Sequence, residues 1–304
     1  MLDPQPLWLT LMIPVLALLL DRLLGEPRRF HPLVGLGRMI SWLERRLYRP
    51  NTERGVLAVV LLLLPLGLLL LWPLPWWAQV VVLYLVLGNR SLGEHGQAVA
   101  DALKAKDLPL ARERVGYMVS RKTGQLSETQ VAAATMESVL ENGNDAVFGA
   151  LLWFLIAGVP GAVAFRIVNT LDARWGYKNP RYLNFGWAAA RLDDLMGWLP
   201  ARLTVLTYAL QGQAGQAMRC AREQGRRCAS PNGGPVMAAG AAALEVTLGG
   251  AAQYEGYSCE KPLLGQGAAP TGESVQRAVT LVDRGAWAWA GLCALTGLLL
   301  WGGL

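Results

Sequence analysis

The stretch GVLAVVLLLLPLGLLLLWPLPWWAQVVVLYLVLGN, residues 55–89, decides the fold class, because none of its 35 positions carries a charged side chain. Only Pro65 and the pair Pro73 and Pro75 interrupt it. Two helices of about 17 residues would each be about 26 Å long, close to the thickness of the hydrocarbon core of a bilayer. The stretch therefore predicts a membrane hairpin that turns at the prolines.

Other apolar runs extend this prediction along the chain. Three are free of charge, at Pro4–Leu20, Ala146–Phe165 and Gly285–Leu304, and a fourth, at Leu195–Met218, contains Arg202. The chain is 53% hydrophobic and only 16% charged, against about 25% charged for ordinary soluble domains. We therefore expect an all-α, polytopic helical membrane protein with about five hydrophobic segments and additional cytoplasmic helices, forming a single integrated membrane domain over residues 1–304.

The distribution of arginine predicts the orientation in the membrane. Eight arginines lie in Asp21–Arg54, whereas the first 21 residues carry neither Lys nor Arg. Positively charged loops stay in the cytoplasm, so we expect the N-terminus outside and Asp21–Arg54, Arg90–Asp145 and Gln211–Arg284 inside. A full crossing at Ala146–Phe165 would place the basic segment after it outside. Gly158, Pro160 and Gly161 offer an alternative, a broken or re-entrant helix at Gly158–Gly161.

The net charge of +6 fits either this loop bias or a preference for anionic ligands. No nucleic-acid partner is expected. The sequence has no Walker A loop and no strand-led G-x-G-x-x-G, so a nucleotide would need an unfamiliar site.

The first polar motif is MESVLENGNDAVFGA, residues 136–150. On a helix, Glu137, Glu141 and Asp145 stack on one face, and like charges four residues apart repel. A magnesium ion or basic side chains from another segment would offset this repulsion. A solvated helix face that enters the membrane is the alternative.

The second motif is FRIVNTLDARWGYKN, residues 165–179, in which Arg166, Asn169 and Asp172 recur every three residues directly after an apolar run. Polar groups at membrane depth indicate function by default, although helix capping by Asn and Asp would also explain them.

The third motif is ARLDDLMGWLPARL, residues 190–203, with Arg191, Asp193, Asp194 and Arg202. Adjacent carboxylates point to different sides of a helix, so we expect one to be a ligand or ion-pair partner and the other structural. A simple Asp–Arg pair within the bundle explains this motif almost as well.

Taken in order, these motifs resemble the CobD/CbiB family of adenosylcobinamide-phosphate synthases across nearly the whole chain. The pattern is D-x-x-x-G-E-P from Asp21, H-P at His31, S-R-x-T at Ser120–Thr123, E-S-V-x-E-N-x-x-D at Glu137–Asp145, N-T-L-D at Asn169–Asp172, W-G-Y-K, A-R-L-D-D and P-A-R-L. The family usually reads S-R-D-T, whereas this chain has Lys122 in place of the acid.

The resemblance implies an ATP-dependent carbon–nitrogen ligase in the bacterial inner membrane, with its motifs facing the cytoplasm. It implies adenosylcobyric acid and aminopropanol, or aminopropanol phosphate, as substrates, Mg²⁺ and ATP as requirements, and other late cobalamin-pathway membrane enzymes as candidate partners. The implied catalytic residues are Glu141, Asp145, Asn169 and Asp172. The implied metal ligands are Glu137, Glu141, Asp145, Asp172 and Asp194, and the implied substrate- or phosphate-binding residues are Arg121, Thr123, Arg166, Lys178, Arg191 and Arg202.

Two other classes share some of these features. A membrane signalling protein of the AmpE type has a similar pattern, and a small-molecule transporter would also have broken helices and buried charges. Retention of E-N-x-x-D, N-T-L-D and R-L-D-D together favours the enzyme.

Overall fold

A computed structural model describes residues 5–27, 31–70, 72–254 and 257–303. Most of the described residues are helical. In chain order the helices are α1 (Leu7–Leu24), α2 (Pro32–Leu47), α3 (Thr52–Leu70), α4 (Trp76–Val86), α5 (Asn89–Lys104), α6 (Leu108–Gly116), α7 (Glu128–Gly143), α8 (Gly149–Trp175), α9 (Trp187–Ala209), α10 (Ala214–Glu223), α11 (Gly233–Ala243) and α12 (Gly272–Gly302). A π-helical turn, Asn144–Phe148, joins α7 to α8, and a short 3₁₀ turn, Gly225–Arg227, follows α10.

Four helical stretches of the described residues are long and apolar enough to cross a membrane: Leu7–Leu24, Thr52–Leu69, Glu128–Trp175 and Gly272–Gly302. The prediction of a polytopic helical membrane protein is confirmed. The sequence predicts about five hydrophobic segments, and four of the described helical stretches meet these limits of length and hydropathy. Helix α9 covers much of the predicted segment Leu195–Met218 but is not among the four, because Arg191, Asp193, Asp194 and Arg202 lower its hydropathy.

The predicted hairpin at residues 55–89 consists of two unequal helices. Helix α3 has 19 residues, whereas α4 has only 11. Helix α4 starts after Pro75, and soon after its end the backbone amide of Gly88 donates to the carbonyl of Ala146, 3.1 Å away. The second arm is therefore shorter than the sequence predicts.

The predicted break in α8 is confirmed. Ala157 and Gly158 have non-helical backbone angles, and Gly158 has φ of +62° and ψ of −153°. A positive φ is easy only for glycine, and Pro160 then supplies no amide hydrogen for the preceding turn. The break separates an apolar half of α8 from the half that carries Arg166, Asn169 and Asp172.

The chain divides into two units, which are described separately. The first unit contains Met1–Gly88, Asp145–Gly197 and Trp287–Leu304. Its best-defined core lies between α2, α3, the end of α8 and the start of α9, and contains Ile40, Leu62, Leu171, Trp175 and Phe185, among others. This core fixes the end of α8 and the start of α9, which carry most of the predicted polar residues of the first unit.

The second unit contains Asn89–Asn144 and Trp198–Ala286. Helix α11 is buried along its whole length, and its small residues permit close packing: a side chain at Gly240 would meet Leu140 of α7. The prediction of one integrated domain over residues 1–304 stays a prediction.

An antiparallel hairpin in the second unit was not predicted. Strands β1 (Thr247–Tyr254) and β2 (Tyr257–Gly265) pair with Thr247 opposite Gly265, and the register shifts between Leu248 and Gly250. Gly249 and Gly250 have φ of +92° and +83°, backbone angles that are unfavourable for residues with a side chain. The glycine pair forms a β-bulge in the hairpin. This hairpin departs from the all-helical pattern that the sequence predicts, because the Gly- and Ala-rich composition of the stretch hides the strand pattern.

Candidate active site

Four carboxylates of the first unit form an acidic group, defined here as Asp145, Asp172, Asp193 and Asp194. Asp145 lies in the π-helical turn, Asp172 in the last turn of α8, and the other two near the start of α9. The carboxyl of Asp193 interacts electrostatically with those of Asp145, Asp172 and Asp194. Residues from all three predicted motifs therefore meet in this unit.

Burial is the largest influence on the carboxyl of Asp193 and raises its pKa well above the ordinary value. The negative charges of Asp145 and Asp172 raise it further, against a weak opposing contact from the amide of Asn169, whose Nδ2 is 3.5 Å from Oδ1 of Asp193. Burial and the neighbouring negative charges thus both favour the protonated form of the Asp193 carboxyl.

Asp194 lies at the more accessible edge of the acidic group. Burial raises its pKa, while the positive charges of Arg191 and Lys178 oppose the shift. The Arg191 guanidinium is 3.7 Å from the Asp194 carboxylate, and both basic side chains are largely exposed. This arrangement matches the simple Asp–Arg pair that the sequence left open.

Arg166 supplies a cation inside the same unit. Its Nε is buried and has no hydrogen-bond partner among the described residues. Its guanidinium interacts electrostatically with Asp145 and Glu26. Buried donors are nearly always satisfied, so a water or a ligand oxygen is the expected partner of this nitrogen. A carboxylate or phosphate oxygen is the partner that arginine binds best.

The other acidic residues of the first motif lie in the second unit, and Glu137 is accounted for there without a metal. Its buried carboxylate pairs with Arg121, accepts from Lys261 Nζ at 2.9 Å and accepts from the backbone amide of Gly249 at 3.1 Å. The predicted metal ligand Glu137 and the predicted phosphate-binding residue Arg121 thus neutralise each other, which was the basic-side-chain alternative for this motif.

The remaining predicted residues also lie in the second unit. The Glu141 carboxylate lies against Gly233, where a larger residue would clash with it. Arg202 donates to Asn232 Oδ1 at 2.8 Å and to the carbonyl of Pro231 at 3.2 Å, and it stacks on Trp198. Thr123 lies in the turn before α7, where its carbonyl accepts from Leu126. The roles of Glu141, Arg202 and Thr123 in catalysis or binding stay predictions.

Among the described residues, no three His, Cys, Asp or Glu side chains are arranged to hold a metal ion by themselves. Magnesium, however, commonly uses one or two carboxylates, with water and phosphate oxygens as the other ligands. The acidic group suits this mode, since it offers closely interacting carboxylates beside an unsatisfied arginine.

Sequence reasoning assigned the metal role to Asp194 and left Asp193 out of the site set, whereas Asp193 interacts with all the other acids of the group. It also missed Lys261 and Gly249, the partners of Glu137 from the hairpin. The doubled Asp in A-R-L-D-D was a sequence signal for Asp193. No sequence signal pointed to Lys261, a lone lysine in a Gly-rich segment.

Comparisons with known proteins agree with the order of the motifs. A family model described as CobD/Cbib protein matches residues 14–282. The chain belongs to the CobD/CbiB family. A relative in this family, the Cobalamin biosynthesis protein CobD of Chromobacterium violaceum, is 55% identical over 95% of this chain and 97% of its own length. Proteins with the same description from Stutzerimonas stutzeri and Geobacter metallireducens are 54% and 42% identical, over 94% and 89% of this chain and 96% and 91% of their own lengths. No solved structure matches this CobD/CbiB chain.

Proposed function

We propose that this protein acts in cobalamin biosynthesis as an ATP- and magnesium-dependent ligase, which joins adenosylcobyric acid to aminopropanol or its phosphate. Membership of the CobD/CbiB family and full-length relatives described as cobalamin biosynthesis proteins support the pathway. The observation that carries the reaction type is the acidic group of interacting carboxylates beside Arg166, whose Nε is buried without a hydrogen-bond partner.

The site holds groups of both signs, which the substrates of this reaction require. One or two of the carboxylates of Asp145, Asp172 and Asp194 would hold magnesium together with water and phosphate oxygens, and the ion when bound would neutralise charge on the phosphates of ATP. Arg166 would bind an oxygen of the corrinoid carboxylate or of a phosphate, in the two-pronged way that guanidinium permits. Lys178 and Arg191 at the exposed edge would attract the same anions.

Amide formation from a carboxylate needs a leaving group, and ATP provides it in two balanced steps. An oxygen of the corrinoid carboxylate attacks the γ-phosphorus, the bond to the bridging oxygen breaks, and ADP leaves an acyl phosphate. The amine nitrogen then attacks the acyl carbon, inorganic phosphate departs, and the nitrogen loses one proton. The departing phosphate takes up that proton, so the step balances without a protein base.

Purified protein in lipid nanodiscs tests this proposal directly. With adenosylcobyric acid, ATP, magnesium and either form of aminopropanol, we expect an adenosylcobinamide-type product, and omission of ATP or magnesium should abolish it. Comparison of the two amines identifies the preferred substrate. Absence of product with both amines would contradict the proposal.

A second measurement separates the enzyme from its rivals. A transporter would move corrinoid into proteoliposomes without ATP-dependent amide formation, and a sensor of the AmpE type would show neither flux nor product. The acyl phosphate itself is tested by hydroxylamine, which should give a corrinoid hydroxamate under turnover conditions. Product without any hydroxamate would count against that intermediate.

The proposed reaction also supports an orientation, since ATP is cytoplasmic. We place the chain in the bacterial inner membrane with its motifs facing the cytoplasm and Asp21–Arg54 inside. A single cysteine in place of Arg46 should therefore resist an impermeant thiol reagent in intact cells and react after permeabilisation. Labelling in intact cells would contradict this orientation.

A further inference from the structure

A cavity of about 540 Å³ in the first unit is not used by the proposed reaction. It lies between α2 and the last turns of α8, and its polar lining includes Glu26, Arg38, Ser41, Arg45 and Arg174. Helix α2 begins at the capping residue His31, whose Nδ1 accepts from the amide of Leu33 at 3.1 Å. The cavity is therefore built on the segment that directly follows the first membrane helix.

The lining is strongly basic. The lining contains three guanidinium groups, those of Arg38, Arg45 and Arg174, and one carboxylate, that of Glu26. Glu26 lies 3.7 Å from His31 Nε2, and among the described residues neither Arg38 nor Arg45 forms an ion pair. An excess of unpaired guanidinium around one cavity favours an anionic ligand.

One of the three arginines is held in place. Arg174 Nη1 donates to Ser41 Oγ at 2.8 Å, and Ser41 Oγ in turn donates to the carbonyl of Gly37 at 3.0 Å. A Cβ at Gly37 would come within 2.9 Å of Arg174 Nη2. The guanidinium thus lies directly against the backbone of α2 at Gly37, and its hydrogen bond to Ser41 orients its donors before any ligand arrives.

Helix α2 has the features of a helix at the membrane surface. Ile40 and Leu43 are buried in the core of the unit, whereas Met39 and Trp42 are exposed. The guanidinium of Arg46 lies over the Trp42 ring, 5.7 Å from its centroid. A helix that presents tryptophan, methionine and arginine outward, next to an apolar membrane helix, is typical of the lipid headgroup region.

We propose that the cavity of Arg38, Arg45 and Arg174 binds the phosphate group of an anionic membrane phospholipid. Guanidinium binds phosphate oxygens in pairs, and each basic residue near an anionic bilayer contributes about a five-fold gain in binding. The three arginines of this cavity are not members of the acidic group, and Glu26 of the same lining interacts electrostatically with Arg166.

The test uses the full-length protein in nanodiscs made from equal parts of phosphatidylcholine and phosphatidylglycerol. After transfer to detergent, the lipids retained per protein are measured by mass spectrometry. The wild type should be enriched in phosphatidylglycerol. Arg174→Gln should lower the enrichment roughly five-fold. Gly37→Ala should lower it without any change of charge, because the new methyl group displaces the Arg174 guanidinium.

Arg46→Gln is the matched control, since it removes the same charge from α2, one of the helices that form the cavity, at a position outside the lining. It should lower the retention of phosphatidylglycerol clearly less than Arg174→Gln. Equal losses in Arg46→Gln and Arg174→Gln, or no loss in both Arg174→Gln and Gly37→Ala, would overturn the site. Gel filtration and thermal unfolding verify that each variant is folded.

A separate arm distinguishes the lipid from free phosphate. Inorganic phosphate is added to protein in pure phosphatidylcholine nanodiscs, and thermal stability is measured. No phosphate-dependent shift supports the lipid headgroup. A shift in the wild type that Arg174→Gln abolishes, without phosphatidylglycerol enrichment, would overturn the lipid assignment.

Discussion

Replacement of Glu137 by Gln should destabilise the second unit strongly. The Glu137 carboxylate is only 4% exposed and is shared by Arg121, by Lys261 Nζ at 2.9 Å and by the amide of Gly249 at 3.1 Å. Glutamine preserves the volume and one acceptor but removes the charge that two cations share. Breaking a buried ion pair by removal of one partner costs roughly 3–5 kcal/mol. Because Lys261 is partly exposed, we expect the free energy of unfolding to fall by about 3 kcal/mol, the lower end of this range.

The measurement is the free energy of unfolding in mixed detergent micelles, followed by tryptophan fluorescence. Glu94→Gln in the same unit is the matched control, because the Arg90–Glu94 pair has a short contact of 2.6 Å but side chains that are 37% and 62% exposed. Exposed pairs contribute about 0–1 kcal/mol, so this variant should resemble the wild type.

Limited proteolysis adds a local readout, since Gly249 and Lys261 belong to the two strands of the hairpin. Glu137→Gln should expose the hairpin to protease before the rest of the unit unfolds. A loss in Glu137→Gln no larger than in Glu94→Gln would refute the assignment of Glu137 to a structural ion pair. A shift only in the magnesium concentration required for activity would instead support the metal role.

Three further predictions concern the first unit. Gly176→Ala should reduce product formation at least ten-fold without unfolding the protein, because a Cβ there collides with the Asp172 carboxylate; turnover close to wild type would show that Asp172 is not needed in its present position. Burial raises the pKa of Glu44, but hydrogen bonds from Arg181, Tyr182 and Trp175 outweigh burial and leave the pKa below its ordinary value of 4.5. The ionised carboxylate therefore stabilises the fold above pH 4.5. This stabilisation is lost as the pH falls through the lowered pKa. Thermal unfolding of Glu44→Gln should accordingly show a deficit of about 1–2 kcal/mol at pH 7 that vanishes in acid, and a deficit independent of pH would be evidence against it. Gly158→Ala should cost about 1–2 kcal/mol, because φ of +62° is unfavourable for alanine, and an unchanged stability would mean that the break in α8 relaxes without cost.

The features that the sequence predicted are those encoded locally. Long apolar runs identify membrane helices because about 20 consecutive apolar residues have few other stable environments. The break in α8 was predictable because Gly158 and Pro160 change the backbone wherever they occur. The motifs of Asp172 and Asp193 were recognisable separately in the sequence, and in the structure the two carboxyls interact electrostatically.

The features that the sequence did not predict depend on long-range contacts. Glu137 and Lys261 are 124 positions apart, and nothing near Glu137 indicates a basic partner from a hairpin. The hairpin itself was missed because Gly249 and Gly250 replace the side chains that would show an alternating strand pattern. The choice between Asp193 and Asp194 depends on burial, which adjacent identical residues cannot reveal.

The most direct test of the central claim, that the acidic group is the site of ATP-dependent amide formation, compares product formation by three proteins in the same nanodiscs. Asp172→Asn changes the acidic group, whereas Asp101→Asn changes an exposed acid of α5 that accepts from Gln97. The assay contains adenosylcobyric acid, aminopropanol or its phosphate, ATP and magnesium. We predict equal product from the wild type and Asp101→Asn, and at least a hundred-fold less product from folded Asp172→Asn. This loss corresponds to roughly 2.7 kcal/mol of transition-state stabilisation. Near-normal product from Asp172→Asn would contradict the account.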